Sequence, residues 1–322
     1  MKKKFDPIII IEGEPKSIFL EIFFKVINFN KLKSPILIIC SKKRLYFQMK
    51  KLKYNFPVNE INNLNLIKDE IANRKINLIN VDYKNNIKNN KISSHSKKYI
   101  EKCFQIAIKL LKKKISNKFI NGPISKKYFL RGKELGITEY LSKKMGVKNF
   151  AMLIFNHKIS VCPITTHIPI RNISKSLDRN QLYSKIDLIN NFYKKFIKKK
   201  PKIALTGLNP HCESFDKINE EKNILIPSVK RLKSNGIKIE GPISADTVFM
   251  QNVRKKYDVI VGLYHDQVLT PMKALYGFDA INITLGLPFI RISPDHGPNE
   301  KMIGKNLSNP LSLKKAIEFL DF

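Results

Sequence analysis

The chain has 322 residues, 43% of them hydrophobic, and a formal charge of +34. That length sets about two domains with room for a sizeable core, and no run approaches the ~18 apolar residues of a membrane helix. The charge invites a nucleic-acid or anionic-membrane partner, but the lysines are spread along the whole chain among Asn and Ile, residues with AT-rich codons. Compositional drift accounts for them, and no RNP aromatic pattern, zinc finger or isolated basic tail argues for nucleic acid.

In chain order, "MKKKFDPIIIIEG" is basic and then briefly apolar. Its apolar run is too short for a signal peptide, so it predicts the first strand of a cytoplasmic protein. "SIFLEIFFKVINF" has helical periodicity, "PILIIC" reads as a strand and "SKKRLYFQMKKL" as a helix. Residues 55–95 are polar and Asn-rich, with a strand at "INLINV", and are the expected place for an irregular insertion. "HSKKYIEKCFQIAIKLLKKKI" predicts a long amphipathic helix with Ile100, Cys103, Phe104, Ile106, Ala107 and Leu110/Leu111 on one face. Strand-like "FAMLIF", "ISVCPITTH" and "KIALTGLNPH" follow. A helix over "NEEKNILIPSVKRLKSNG" is expected to end at Gly236. "KIEGPIS", "YDVIVGLYH" and "AINITLGLPFIRI" read as further strand-forming segments, and "PLSLKKAIEFLDF" as a last helix. Alternating strands and helices predict an α/β protein with a largely parallel sheet. The four cysteines are scattered without zinc or CxxC spacing, which fits a reduced compartment.

Three of the six histidines close an apolar run: His167, His211 and His265. In α/β sheets ligands bind beyond the carboxyl ends of the strands. Three imidazoles there suit a divalent metal with open positions for substrate. Three unrelated loop histidines would read the same way, and spacing leaves both alternatives open. There is no G-x-G-x-x-G after a strand and no P-loop. "GPISADTVF" places Asp246 at a strand-to-helix junction, as a helix cap or an acid/base group. Arg291 near a strand end suits a phosphate or carboxylate, whereas Lys273 by itself says little in so lysine-rich a chain.

Taken together, "TTHIP" (165–169), "GLNPH" (207–211), "GPISADTVF" (241–249), "YDVIVGLYHDQ" (257–267) and "INITLGLPFIRISPDHG" (281–297) resemble the 4-hydroxythreonine-4-phosphate dehydrogenase family of pyridoxal phosphate (vitamin B6) biosynthesis. "NGPISK" (121–126) is a weaker match, and the likeness is faint before residue 120. The resemblance implies a fold like isocitrate and isopropylmalate dehydrogenases, two α/β domains flanking a cleft. One would comprise 1–125 with 300–322, the other 126–299. It implies a homodimer with its active site at the subunit interface. A divalent metal (Zn, Mg, Mn or Co) would be held by His167 and His211 of one subunit and His265 of the other. NAD or NADP would be the cosubstrate, bound without a Rossmann fingerprint. Ile137, Thr138, Lys273, Asn282 and Arg291 stand at substrate-binding positions, and Asp246, Asp266 and Lys273 are candidate catalytic groups. The implied reaction is oxidation with decarboxylation of 4-phosphohydroxy-L-threonine; related phosphorylated hydroxy acids (threonate or erythronate phosphate) and an impaired homologue are the alternatives. No nucleic acid or membrane is implied.

Two departures motivate those alternatives. The family has Gly-Asp-Pro-Ala-Gly-Ile-Gly-Pro-Glu after its first strand, where this chain has "GEPKSIFLE" (13–21). The family's Gly-His-Thr-Glu-Phe is here "GITEY" (136–140), so an imidazole able to bond a phosphate is replaced by Ile137.

Overall fold

The Ile- and Val-rich runs are strands because both their faces are covered, and only continuous apolar sequence suits that environment. The computed structural model describes residues 5–28, 31–83, 96–130, 132–214, 219–294 and 296–322. Among these the strands are β1 (Ile8–Ile11), β2 (Ile36–Cys40), β3 (Val58–Glu60), β4 (Ile76–Asn80), β5 (Lys118–Asn121), β6 (Ala151–Phe155), β7 (Ser160–Pro163), β8 (Ile203–Thr206), β9 (Ile239–Ile243), β10 (Val259–Gly262), β11 (Ile281–Leu285) and β12 (Ile290–Pro294). The chain divides into two units, residues 1–134 with 288–322, and residues 135–287.

In the first unit the strand order is β3-β4-β2-β1-β5-β12, and every pairing is parallel. All four isoleucines of β1 are fully buried. Helices Phe19–Val26, Lys42–Lys51, Ser96–Lys112 and Leu311–Leu320 belong to this unit. Ser41 caps the second of them by accepting from the Arg44 backbone N–H. The expected insertion at 55–95 is structured over its described part: β3 pairs with β4, and Asn77 is fully buried, bonded to the backbone of Ile36 and Ala72. Buried Asn satisfied by backbone groups is why an Asn-rich stretch can sit in a sheet. Residues 84–95 lie outside the described residues.

In the second unit the order is β11-β6-β7-β10-β8-β9. β11, β6 and β7 pair antiparallel, and β7, β10, β8 and β9 parallel. The expected helix up to Gly236 is a π-helical turn, Glu221–Leu225, running into the α-helix Ile226–Ser234, and Gly236 takes φ +75° just beyond it. The run 280–292 is two strands, not one. Gly286 (φ +92°) breaks it, and a Cβ there would lie 2.3 Å from the Asn149 carbonyl. The central strand β10 lies between β7 and β8, all parallel, so the loops after these three strands emerge side by side.

Candidate metal and substrate site

The segments after these three strands carry His167, His211 and, at the start of a helix, His265. The loop after β7 is fastened to the end of β10. Ile164 N–H donates to the Gly262 carbonyl at 2.7 Å, and the Thr165 N–H and hydroxyl both donate to Leu263 O, at 3.1 and 2.7 Å. Lys185, from helix Arg179–Phe192, donates its ammonium to Ile164 O at 2.5 Å. Burial lowers the pKa of Lys185, opposed by nearby Cys162 and Glu139.

Within this frame His167 meets His265, ring centroids 5.7 Å apart and planes inclined by 39°. Each ring has a carboxylate at Nδ1: Glu139 Oε1 at 3.4 Å from His167, and Asp266 Oδ1 at 2.7 Å from His265. Glu139 Oε1 also accepts from the Thr166 hydroxyl at 3.1 Å. Burial pushes the Glu139 carboxyl up, but bonds from His167, its own backbone N–H and Thr166 outweigh burial and hold it below the usual range. Glu139 lies in the first turn of helix Ile137–Met145, one residue from the substrate candidate Thr138. Its role was missed in the sequence, where only the "GITEY" string hinted at it.

His265 opens helix His265–Tyr276 instead of occupying a simple turn, and Gln267 joins that helix to the neighbouring loop. Gln267 Oε1 accepts from Leu263 N–H and the Thr206 hydroxyl, while Nε2 donates to Gly207 O at 2.8 Å. His211 follows that glycine. Its φ of +56° and the +63° of Cys212 place consecutive non-glycine residues in the left-handed region, a costly conformation that needs support from outside. Glu221 supplies it by accepting from Leu208 N–H, Asn209 N–H and the Asn209 side chain. Gly207 is needed as well, since a Cβ there would sit 2.6 Å from Cys212 Sγ.

The exposed Asp246 does not cap a helix. The Ser244 hydroxyl donates to it at 2.6 Å and holds its carboxyl below the usual range, with His211 also contributing. Thr138 is buried and its hydroxyl meets that of Thr284 at 3.4 Å. Asn282 stands two residues before Thr284 and therefore on the same face of β11, so Thr138 and Asn282 share a face. Asn282 Oδ1 is buried without a hydrogen-bond partner among the described residues. Half-buried Ile137 is the first residue of its helix, after Gly136, whose lack of a side chain leaves the helix uncapped. Lys273 is on the last turn of its helix, its ammonium 5.6 Å from the centre of the Phe278 ring. Eight residues separate it from His265, roughly 12 Å of helical rise. Arg291 belongs to the first unit, where it is buried and donates Nε to Asn121 Oδ1 at 2.7 Å. Among the described residues no group of three His, Cys, Asp or Glu gathers within one chain closely enough to hold a metal.

The altered loop after β1 is packed shut. Gly13 has φ +77° and lies against the 122–123 backbone, where a Cβ would meet Pro123 O at 2.5 Å. Glu14 is fully buried and accepts from the Ser96 hydroxyl at 3.0 Å. Ser17, at one of the two missing glycines, accepts from Phe19 N–H. Phe19, at the other, is a fully buried ring that lies over Gly122.

The chain matches the family described as Pyridoxal phosphate biosynthetic protein PdxA over residues 31–320, well upstream of residue 120. It is 38% identical over 312 residues to the 4-hydroxythreonine-4-phosphate dehydrogenase of Sulfurihydrogenibium sp. (strain YO3AOP1), covering 95% of this chain and 94% of that protein. It is 36% identical over 184 residues to the D-threonate 4-phosphate dehydrogenase of Pectobacterium atrosepticum, covering 57% and 56%. The solved 4-hydroxythreonine-4-phosphate dehydrogenase of Klebsiella pneumoniae superposes with a TM-score of 0.83 at 25% identity, over 100% of this chain and 98% of that one. Isocitrate dehydrogenase of Methylococcus capsulatus superposes with a TM-score of 0.51 at 11% identity, covering 97% and 84%, a likeness of fold alone.

Proposed function

This chain belongs to the pyridoxal phosphate biosynthetic protein PdxA family, an oxidoreductase with the isocitrate dehydrogenase-like fold, and we propose that it oxidises 4-phosphohydroxy-L-threonine with NAD or NADP in the cytoplasm. Hydride leaves the carbinol carbon for the nicotinamide and the hydroxyl gives up its proton. The resulting β-keto acid loses CO₂, leaving 3-amino-2-oxopropyl phosphate. The observation that carries this reading is the pair His167 and His265, held ring to ring beyond strand ends with a carboxylate at Nδ1 of each.

The donor chemistry fits a divalent metal. A carboxylate at Nδ1 favours the tautomer that keeps its proton there and leaves the Nε2 lone pair to bind a metal. Two imidazoles are fewer than the three protein donors usual at catalytic zinc. The reading therefore adds His211 and a second copy of the chain, in a homodimer with its active site at the interface. In that homodimer His167 and His211 of one copy and His265 of the other would complete the donor set; within one chain the His167 and His265 rings lie 5.7 Å apart. When bound, the metal supplies Lewis-acid polarisation of the substrate hydroxyl. The chain's own residues orient and neutralise. Asn282 Oδ1, a buried acceptor without a partner among the described residues, would take a donor from the substrate's ammonium or hydroxyl. The uncapped helix N-terminus at Gly136–Thr138 offers backbone N–H groups to the phosphate. Lys273 and Arg291 would bind anionic groups, and Asp246, beside His211, or Asp266 would take the proton.

The test is NADH formation from 4-phosphohydroxy-L-threonine in buffer with a defined divalent metal. Wild-type turnover is expected, with a loss of at least about 100-fold in His211→Ala. Full activity in that variant would sink the metal role. A second reading, oxidation of D-threonate 4-phosphate or a related acid, is favoured by Ile137 and by the Pectobacterium relative. It gains if only that substrate reduces NAD, and a chain inert to both would be an impaired homologue.

A further inference from the structure

We propose that Glu139 is a positioning residue: its carboxylate holds the His167 ring with the proton on Nδ1, so that Nε2 faces outward as a metal donor. This rests on the reading of His167 as a ligand. A glutamate in the first turn of a helix ordinarily serves the helix, reaching back in a capping box to a Ser or Thr. Position 136 is glycine, which cannot complete such a box, and Glu139 turns to the next loop instead. One oxygen, Oε1, serves both Thr166 and His167. The other, Oε2, is buried without a hydrogen-bond partner among the described residues, a cost that a surface glutamate avoids by turning to water.

Gly136 makes room for this arrangement. A Cβ there would lie 2.6 Å from Glu139 Oε2 and 2.8 Å from His167 Cε1. Up to Thr165 the loop is held without Glu139: Ile164 and Thr165 bond the end of β10, and Lys185 holds Ile164 O from its helix. Beyond them the glutamate holds the Thr166 hydroxyl and the orientation and tautomer of one ring. Outer carboxylates of this kind change metal affinity by about 10–100-fold.

The experiment reads tautomer and affinity separately from turnover. Long-range ¹H–¹⁵N spectra of the metal-free protein at about pH 8, where a free imidazole is neutral, report which nitrogen of His167 carries the proton; His167→Ala assigns the signal. Wild type is expected to show the Nδ1–H form, and Glu139→Ala a shift towards Nε2–H. Titration with Co²⁺ is expected to show at least about a tenfold weaker Kd in Glu139→Ala, with Glu139→Gln in between because its amide oxygen still accepts. An unchanged His167 tautomer in Glu139→Ala overturns the proposal. So does an unchanged Co²⁺ affinity in that variant while His167→Ala abolishes binding. If His167→Ala leaves Co²⁺ binding intact, the ligand reading fails, and the tautomer shift alone decides whether Glu139 positions the ring. Should Glu139→Ala not fold, Glu139→Gln carries both measurements, and no change in either overturns the idea.

Discussion

At the carboxyl end of β1, Glu12 pairs with Arg44 at 3.0 Å and accepts the Tyr99 hydroxyl at 2.6 Å; the Glu12 and Arg44 side chains are 1% and 4% exposed. Beyond β7 and β10, His167 and His265 meet with side chains 24% and 32% exposed. Both clusters stand where α/β proteins put their ligands, yet they are built oppositely. In the first, the two opposite charges are buried against each other, and both Glu12 oxygens accept from buried neighbours. In the second, Glu139 lies behind His167, Asp266 stands exposed beside His265, and both rings keep an accessible side. Polar groups at a strand end signal chemistry when their partners occupy one side of them, and structure when partners occupy all sides.

The sharpest way to break this comparison is to open the closed cluster. Arg44→Met leaves Glu12 buried without its counter-charge and is expected to cost about 3–5 kcal/mol in urea unfolding. Replacing Glu12 as well, in Arg44→Met/Glu12→Leu, is expected to recover most of that loss. A cost below about 1 kcal/mol for the single variant would mean the cluster is not structural.

A smaller effect concerns Glu14, where burial pushes the carboxyl up to about 7, partly offset by the Ser96 hydroxyl. The folded state holds this proton more tightly than the unfolded chain does, so its contribution to stability is complete below about pH 4.5 and is lost as pH rises through about 7. The difference corresponds to roughly 3 kcal/mol. Glu14→Gln is expected to flatten the decline of Tm between about pH 5 and 8, and parallel wild-type and variant profiles would refute the assignment.

The smallest effect belongs to the open side. Ile137→His restores a phosphate-bonding group to the helix N-terminus, and the KM for the phosphorylated substrate is expected to fall several-fold, about 1 kcal/mol, with kcat nearly unchanged. A KM that does not move would show that position 137 does not meet the phosphate.

Much of this was legible beforehand because it is local. Isoleucine runs announce buried strands, the spacing of Ile100, Cys103, Phe104 and Ala107 announces a helix, and each candidate histidine follows an apolar run. What was not legible depends on partners distant in sequence. Glu139 is 28 residues from His167, and Gln267 is 60 residues from the Gly207 carbonyl it binds; neither residue type signals such a role in its own segment. The stretch 280–292 reads as strand-forming with Gly286 and Pro288 inside it, and the fit of Gly286 against Asn149 shows that it breaks there. Asn77 looks like part of an irregular polar stretch until Ile36 and Ala72 are seen to satisfy it.

The sequence by itself determined the α/β class, the strand ends at which the histidines lie, and the motif strings that tie the chain to its family. These follow from residue type and spacing, which are written along one segment at a time. Tertiary structure decided which histidines meet, which carboxylate backs each ring, and that the loop after β1 is filled by Glu14 and Phe19. Strand order set the first of these. By placing β10 between β7 and β8, it brought three separate loops together, and adjacency across a sheet cannot be read from any one of its strands.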